Sequence, residues 1–270
     1  MKKILIACLS LVTMLTSCSD DDSSSTGSSS PLVSSKQTLY ENGQIAETIV
    51  TEYSNGKITK SEYFTPDNEQ IGYEIISYDS NGLLTAVNSY FGGVIYATNE
   101  YSYDNQGRMI SMHHQSEMEG SDYTRTFTHN TDNTITSTST NSWEQPKTFY
   151  INSNGIAYKE VIGSSINEFT LDGATVVSAS YNGYVTTYEY DQEHDPSLID
   201  INMGTGNFKP NNTLRLNGLS TNNGDKYMTK IINGADIFKY VYTFNELGLP
   251  TKYMAYSNEV LQSQMEYFYN

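Results

Sequence analysis

The sequence predicts an all-β protein, an antiparallel meander of hairpins curled into a barrel or half-barrel. Three observations carry this. No long stretch repeats apolar residues at helical spacing. The best candidate, Asn258 to Phe268, is interrupted by Gln262, Ser263 and Gln264 and reads as a strand. Runs of Tyr, Thr, Val and Ile alternate at period two, as in Phe238 to Phe244, where four aromatics share one face and Lys239, Val241 and Thr243 the other. Third, Tyr-x-x-x-Gly recurs at a near-constant interval, 26 residues from Gly56 to Gly82 and 25 from Gly82 to Gly107.

The chain opens on Lys2 and Lys3, then an apolar stretch from Ile4 to Leu15, the size of a signal-peptide core and too short to span a bilayer. Small residues Thr16 and Ser17 precede Cys18. Leu15-Thr16-Ser17-Cys18 resembles the lipobox of bacterial lipoproteins, which implies a signal peptide over residues 1–17 and diacylglycerol on the Cys18 thiol. Ser19, Asp20, Asp21 and Asp22 are similar to the surface-export signal of Bacteroidota lipoproteins, which implies an outer-membrane protein displayed on the cell surface. The bland reading of these acids is a solvated linker. Acyl chains contribute about 0.8 kcal/mol per buried methylene, so the expected first partner is the membrane. Cys8 would leave with the signal peptide, and the mature chain would hold no disulfide. Residues 18–35 are mostly Ser, Asp, Gly and Thr and read as a tether, with one β domain over 36–270.

The chain carries a net charge of −16, and loss of Lys2 and Lys3 with the signal peptide makes it −18. That balance argues against nucleic acid, whose phosphates require a basic face, and against electrostatic docking on anionic headgroups.

Within the domain each repeat is a hairpin. Asp79-Ser80-Asn81-Gly82 puts Asp first and Gly last, as a type I turn followed by a bulge prefers. Tyr103-Asp104-x-x-Gly107-Arg108 has the same form. Asn152 to Gly155, Phe169 to Gly173 and Phe244 to Gly248 are looser copies. Tyr78-Asp79-x-x-Gly82 and Tyr103-Asp104-x-x-Gly107-Arg108 resemble the YD repeats of Rhs-type proteins. Lipobox, tether, degenerate hairpins and the closing Thr243-Phe244-x-x-x-Gly248-x-Pro250 are together similar to a family of Bacteroidota lipoproteins described as a domain of unknown function with a porin-like β fold. The resemblance implies a fold and no activity.

A flat sheet of this length would expose one large apolar face and two bare edges, so the ribbon is expected to wrap around a Tyr-rich interior. Between 191 and 234 the rhythm breaks in an Asn- and Gly-rich region, opened by Asp191-Gln192-Glu193-His194-Asp195-Pro196, that reads as a long loop insertion.

Chemistry-bearing residues are sparse. His113 and His114 are adjacent on a strand and face opposite sides, which argues against a shared metal with Glu117 and Glu119. Asp191, Glu193 and Asp195 alternate like the start of a calcium loop, but Pro196 and Asn202 stand where Gly and Glu belong. His129 and Asp132 sit in a Thr- and Asn-rich hairpin. No nucleophile elbow is legible. The sequence implies neither catalytic residue, metal nor cofactor. Trp143, the one tryptophan, lies in the turn-like Asn141 to Pro146. It reads as a ring that stacks on sugars, or as a plug closing one end of the core. The expected function is therefore binding of glycan or another nutrient, or, alternatively, a structural role against an envelope protein. An integral membrane barrel is disfavoured, because both faces of several strands carry Lys, Glu or Asn.

Overall fold

A computed structural model describes residues 32–270 apart from 56, 118–119, 174 and 195–225. Every regular element among the described residues is a strand. The first half holds β1 (Leu32–Glu41), β2 (Gln44–Ser54), β3 (Lys57–Phe64), β4 (Gln70–Tyr78), β5 (Leu84–Phe91), β6 (Val94–Tyr103), β7 (Met109–Ser116), β8 (Ser121–His129) and β9 (Thr134–Ser139). The second holds β10 (Lys147–Ile151), β11 (Ala157–Ile162), β12 (Ser165–Asp172), β13 (Thr175–Tyr181), β14 (Tyr184–Tyr190), β15 (Met228–Asn233), β16 (Asp236–Phe244), β17 (Pro250–Ser257) and β18 (Val260–Tyr269).

Each strand pairs antiparallel with its sequence neighbours, and β1 pairs with both β2 and β18. The 18 strands therefore close into a barrel, and no edge is left bare. Followed strand to strand around the ring, the register returns to β1 displaced by roughly one residue per strand, a tilt of about 30–35°.

The barrel has two unlike rims. At the proximal rim, where the chain joins β1, lie the turns expected from the repeat. In four of them a type I turn is capped by one side chain. Gly82 N–H donates to the Asp79 carbonyl, and Asp79 Oδ1 accepts from Asn81 and Leu83 N–H. Asp104 does the same, and its other oxygen takes Arg108 at 2.7 Å. Asn152 and Asn245 reproduce the pattern, so the looser copies replace Asp without losing the acceptor. Two copies depart: Ser54 pairs directly with Lys57 and Asp172 with Thr175. Gly56 lies outside the described residues.

Four tyrosines at proximal strand ends, two of them from the repeat, share a definite task. The Tyr78 hydroxyl donates to the Ile58 carbonyl at 2.8 Å, Tyr103 to Leu84 at 2.9 Å, Tyr190 to Val176 at 2.6 Å and Tyr269 to Pro250 at 2.6 Å. His129 Nε2 takes this place opposite the Met109 carbonyl at 2.8 Å. Each acceptor immediately precedes the extra residue of a β-bulge. Each ring thus closes over the core, and its hydroxyl, or the His129 ring nitrogen, staples its strand to the proximal hairpin before it.

Inside, the proximal half is apolar. Ile58, Ile76 and Leu84 pack with Tyr53, Tyr78, Val87 and Tyr101. Met109, Met112, Phe127, Ile135 and Phe149 pack with Tyr103, Tyr123 and Ile151. Each such side chain contributes about 1.5–3 kcal/mol of burial. The outward face is polar, with Thr126 bonded to Thr138 and the pairs Lys60–Glu62 and Lys230–Glu189.

Two expectations are corrected. Leu32 to Ser35 belong to β1 rather than to the tether. Met228–Asn233, placed in the loop insertion, form β15, which pairs Ile231 with Tyr188. Of barrel and half-barrel, the barrel holds. Cys18 and Ser19, Asp20, Asp21 and Asp22 lie outside the described residues, as does most of the 191–234 region.

Candidate functional site

The distal rim carries the feature that burial cannot explain. In the turn between β9 and β10, Trp143 is 92% exposed. It closes no core, which overturns that reading. An indole left in water forfeits about 25 cal/mol for every Å² it could have buried. The turn beneath it is nonetheless fixed. Asn141 Oδ1 accepts the Trp143 N–H at 3.1 Å, and the Asn141 carbonyl accepts Glu144 N–H at 3.0 Å. Arg125, on the inner face of β8 and 7% exposed, holds the Glu144 carboxylate with two bonds, Nε to Oε2 at 3.1 Å and Nη2 to Oε1 at 2.6 Å. Burial pushes the Glu144 carboxyl up, but the Arg125 bonds and charge, helped by Ser139 and Lys147, outweigh it and hold the pKa below the ordinary value. Arg125 Nη1 is buried with no hydrogen-bond partner.

Toward this rim the interior turns polar. Glu74 accepts from the Tyr63 hydroxyl and from Ser89 Oγ, both at 3.0 Å. Burial, then the Glu74 charge, drives the Tyr63 hydroxyl well above its usual pKa. His114 Nδ1 meets Asn99 at 2.9 Å, its Nε2 meets Ser121 at 3.1 Å, and the ring lies against Tyr123.

The other sequence candidates separate. His113 points outward to Asp122 at 2.9 Å while His114 points inward, so the pair does not converge. The hydrogen bond to Asp122 raises the His113 pKa. Among the described residues no group of three His, Cys, Asp or Glu could hold a metal. Asp191 caps Glu193 and His194 N–H and bonds the His194 ring, which stacks on Phe244 at 3.6 Å. Asp195 lies outside the described residues. Asp132 accepts from Thr134, and the His129 ring bonds the Met109 carbonyl. A proximal hollow of about 520 Å³ is lined by Arg108, His129 and Asn130, but its Arg and His are already engaged with Asp104 and Met109. No described helix is long and apolar enough to cross a membrane.

What sequence reasoning missed is the neighbourhood of Trp143. Tyr181 and Tyr184, 53% and 78% exposed, crown the β13–β14 turn two hairpins away. Their signal was the pair of tyrosines flanking Asn182-Gly183.

A family model described as "Uncharacterised protein" matches residues 31–162, the length of β1 to β11. No curated protein matches the chain. Among solved structures, a porin-like protein from Bacteroides uniformis is 13% identical over 90% of this chain and 99% of that one, with a TM-score of 0.42. TcdB2-TccC3 without its hypervariable C-terminal region is 15% identical, covering 82% of this chain and 12% of its own, with a TM-score of 0.27.

Proposed function

We propose that this chain is a lipid-anchored surface lipoprotein that holds a sugar-binding rim away from the membrane. The observation that carries the reading is the placement of Trp143. The chain joins the barrel at the proximal rim, downstream of the lipobox at Cys18, and the exposed indole stands on the opposite rim on a turn locked by Arg125 and Glu144. A rigid exposed aromatic with amide neighbours is the equipment for stacking on a sugar ring. Acidic residues 20–22 beside the lipid support display on the outer surface. A glycan array tests this. The wild-type chain binds a glycan and Trp143→Ala binds it at least about tenfold more weakly, the loss of roughly one aromatic contact. Wild-type binding that Trp143→Ala leaves intact removes the site.

A second reading, contact with an envelope protein, is favoured by one observation. The β5–β6 tip exposes Phe91, Val94 and Ile95 together. Co-purification of a stable partner lost in Val94→Asp, with no glycan bound, supports that reading instead.

A further inference from the structure

We infer that the sugar site is a strip crossing three neighbouring hairpin tips, β9–β10, β11–β12 and β13–β14, and that its ligand is an extended, uncharged polysaccharide chain. The inference rests on the reading above and specifies its ligand.

The three tips are physically joined. The Gln145 side chain lies over the β11–β12 turn so closely that a Cβ on Gly163 would collide with its Oε1. The next junction is a reciprocal pair. Ile166 N–H donates to Asn182 Oδ1 and Asn182 N–H to the Ile166 carbonyl, both at 3.4 Å. Trp143 and Tyr184 therefore stand at the two ends of one surface. Four strand spacings of about 4.8 Å separate the hairpins, so the rings are roughly 20 Å apart. A monosaccharide cannot touch both, and a chain of sugars can.

Charge selects the ligand class. The molecule carries −16, yet along this strip the ionised groups are neutralised. Glu144 is held by Arg125, Lys147 faces Glu160 at 3.8 Å, and Glu168 faces Lys159 at 3.8 Å. The acids gather instead on the β1–β2, β3–β4 and β7–β8 tips, at Glu41, Asp67, Glu69 and Glu117. A polycation would settle there, and a polyanion would be repelled on approach by the net charge of the whole molecule. An uncharged polymer loses nothing on the strip, where Asn141, Gln145, Ser164 and Asn182 offer hydrogen-bonding groups between the rings. A protein partner would instead need a contiguous apolar core, and here amides and hydroxyls interrupt the aromatics.

The single tryptophan makes the test direct, because its fluorescence reports from one end of the strip. The full chain in detergent is titrated with laminarin, dextran and mannan as neutral polymers, and with polygalacturonate and chitosan as charged ones, following Trp143 emission. The expected result is a saturable change with at least one neutral polymer, weakened about tenfold by Tyr184→Ala and unchanged by Leu247→Ala on the proximal rim. The disaccharide of that polymer binds wild type and Tyr184→Ala equally weakly. If Tyr181→Ala and Tyr184→Ala bind the polymer as wild type does, while Trp143→Ala loses it on the array, the strip is wrong and the single-ring site stands. A response confined to the charged polymers overturns the ligand class. Silence of the wild type in both titration and array overturns the strip together with the glycan reading.

Discussion

A tyrosine in this barrel is a greasy ring with one polar atom, and the repeat uses both parts. The ring seals the proximal end of the core, and the hydroxyl satisfies a carbonyl that a bulge has left beside a gap in the ladder. Tyr103→Phe keeps the ring and orphans the Leu84 carbonyl, so it should cost about 1 kcal/mol in urea denaturation. Tyr78→Phe should cost the same, and the pair should be nearly additive because their acceptors differ. An unchanged midpoint in both variants would mean that the hydroxyls merely point at the carbonyls. The same burial sets the alkaline limit. Desolvation raises Tyr53 to about 12, and burial lifts Tyr78, Tyr101, Tyr103 and Tyr253 further. A tyrosine with a raised folded pKa contributes stability that is fully present below its unfolded pKa near 10 and lost as pH climbs through the folded value. Each should remove about 1.4 kcal/mol per pH unit above 10. Absorbance at 295 nm should then show these phenols ionising together with loss of β circular dichroism. Smooth ionisation of every tyrosine near pH 10 in the folded protein would contradict the packing.

At the scale of the hairpin, the turn is set by one Oδ1 that collects two backbone N–H groups, which is why Asp79, Asp104, Asn152 and Asn245 are interchangeable. This much was legible, because turn chemistry is local. Less legible was β1, whose Ser34 and Ser35 share the composition of a tether. Ser35 is buried because the barrel brings the Tyr53 hydroxyl to 3.1 Å of it, a contact no composition announces. β15 was hidden for a related reason. Its partner β14 precedes it by some forty residues across an Asn-rich stretch, so no short turn marked the pairing. The exposed state of Trp143 was open in the sequence, since the same turn suits a plug or a platform, and what decides it is Arg125 pulling Glu144 inward. Arg125→Met should therefore release the β9–β10 tip. The expected cost is about 1–2 kcal/mol, less than for a fully buried pair because Glu144 keeps some water. Trp143 fluorescence anisotropy should fall in that variant, and an unchanged anisotropy with the stability loss would separate the bond from the posture of the turn.

For the whole molecule the decisive fact is which face is greasy. A barrel embedded in lipid turns an apolar band outward, whereas here the buried face is the inner one and the outer wall carries threonines and the pairs Lys60–Glu62, Lys159–Glu168 and Lys230–Glu189. Closure by β1 against β18 removes the sheet edges that could otherwise attach it to a neighbour. Among the described residues these charged pairs interrupt any outward apolar band, and on the lipoprotein reading proposed above the anchor is the segment at Cys18. If Cys18 carries the lipid, Cys18→Ala should move the protein from the membrane pellet to the soluble fraction, because acyl chains at about 0.8 kcal/mol per methylene are then the whole of its membrane affinity. Replacing Asp20, Asp21 and Asp22 with Ala should leave it in the pellet but shielded from protease added to intact cells. Cys18→Ala that still sediments after a high-salt wash would show that the barrel itself grips lipid, against the polarity of its wall. Digestion of the triple-Ala variant at the wild-type rate would show that those three acids do not direct display, leaving the anchor in place and the distal rim reached by another route.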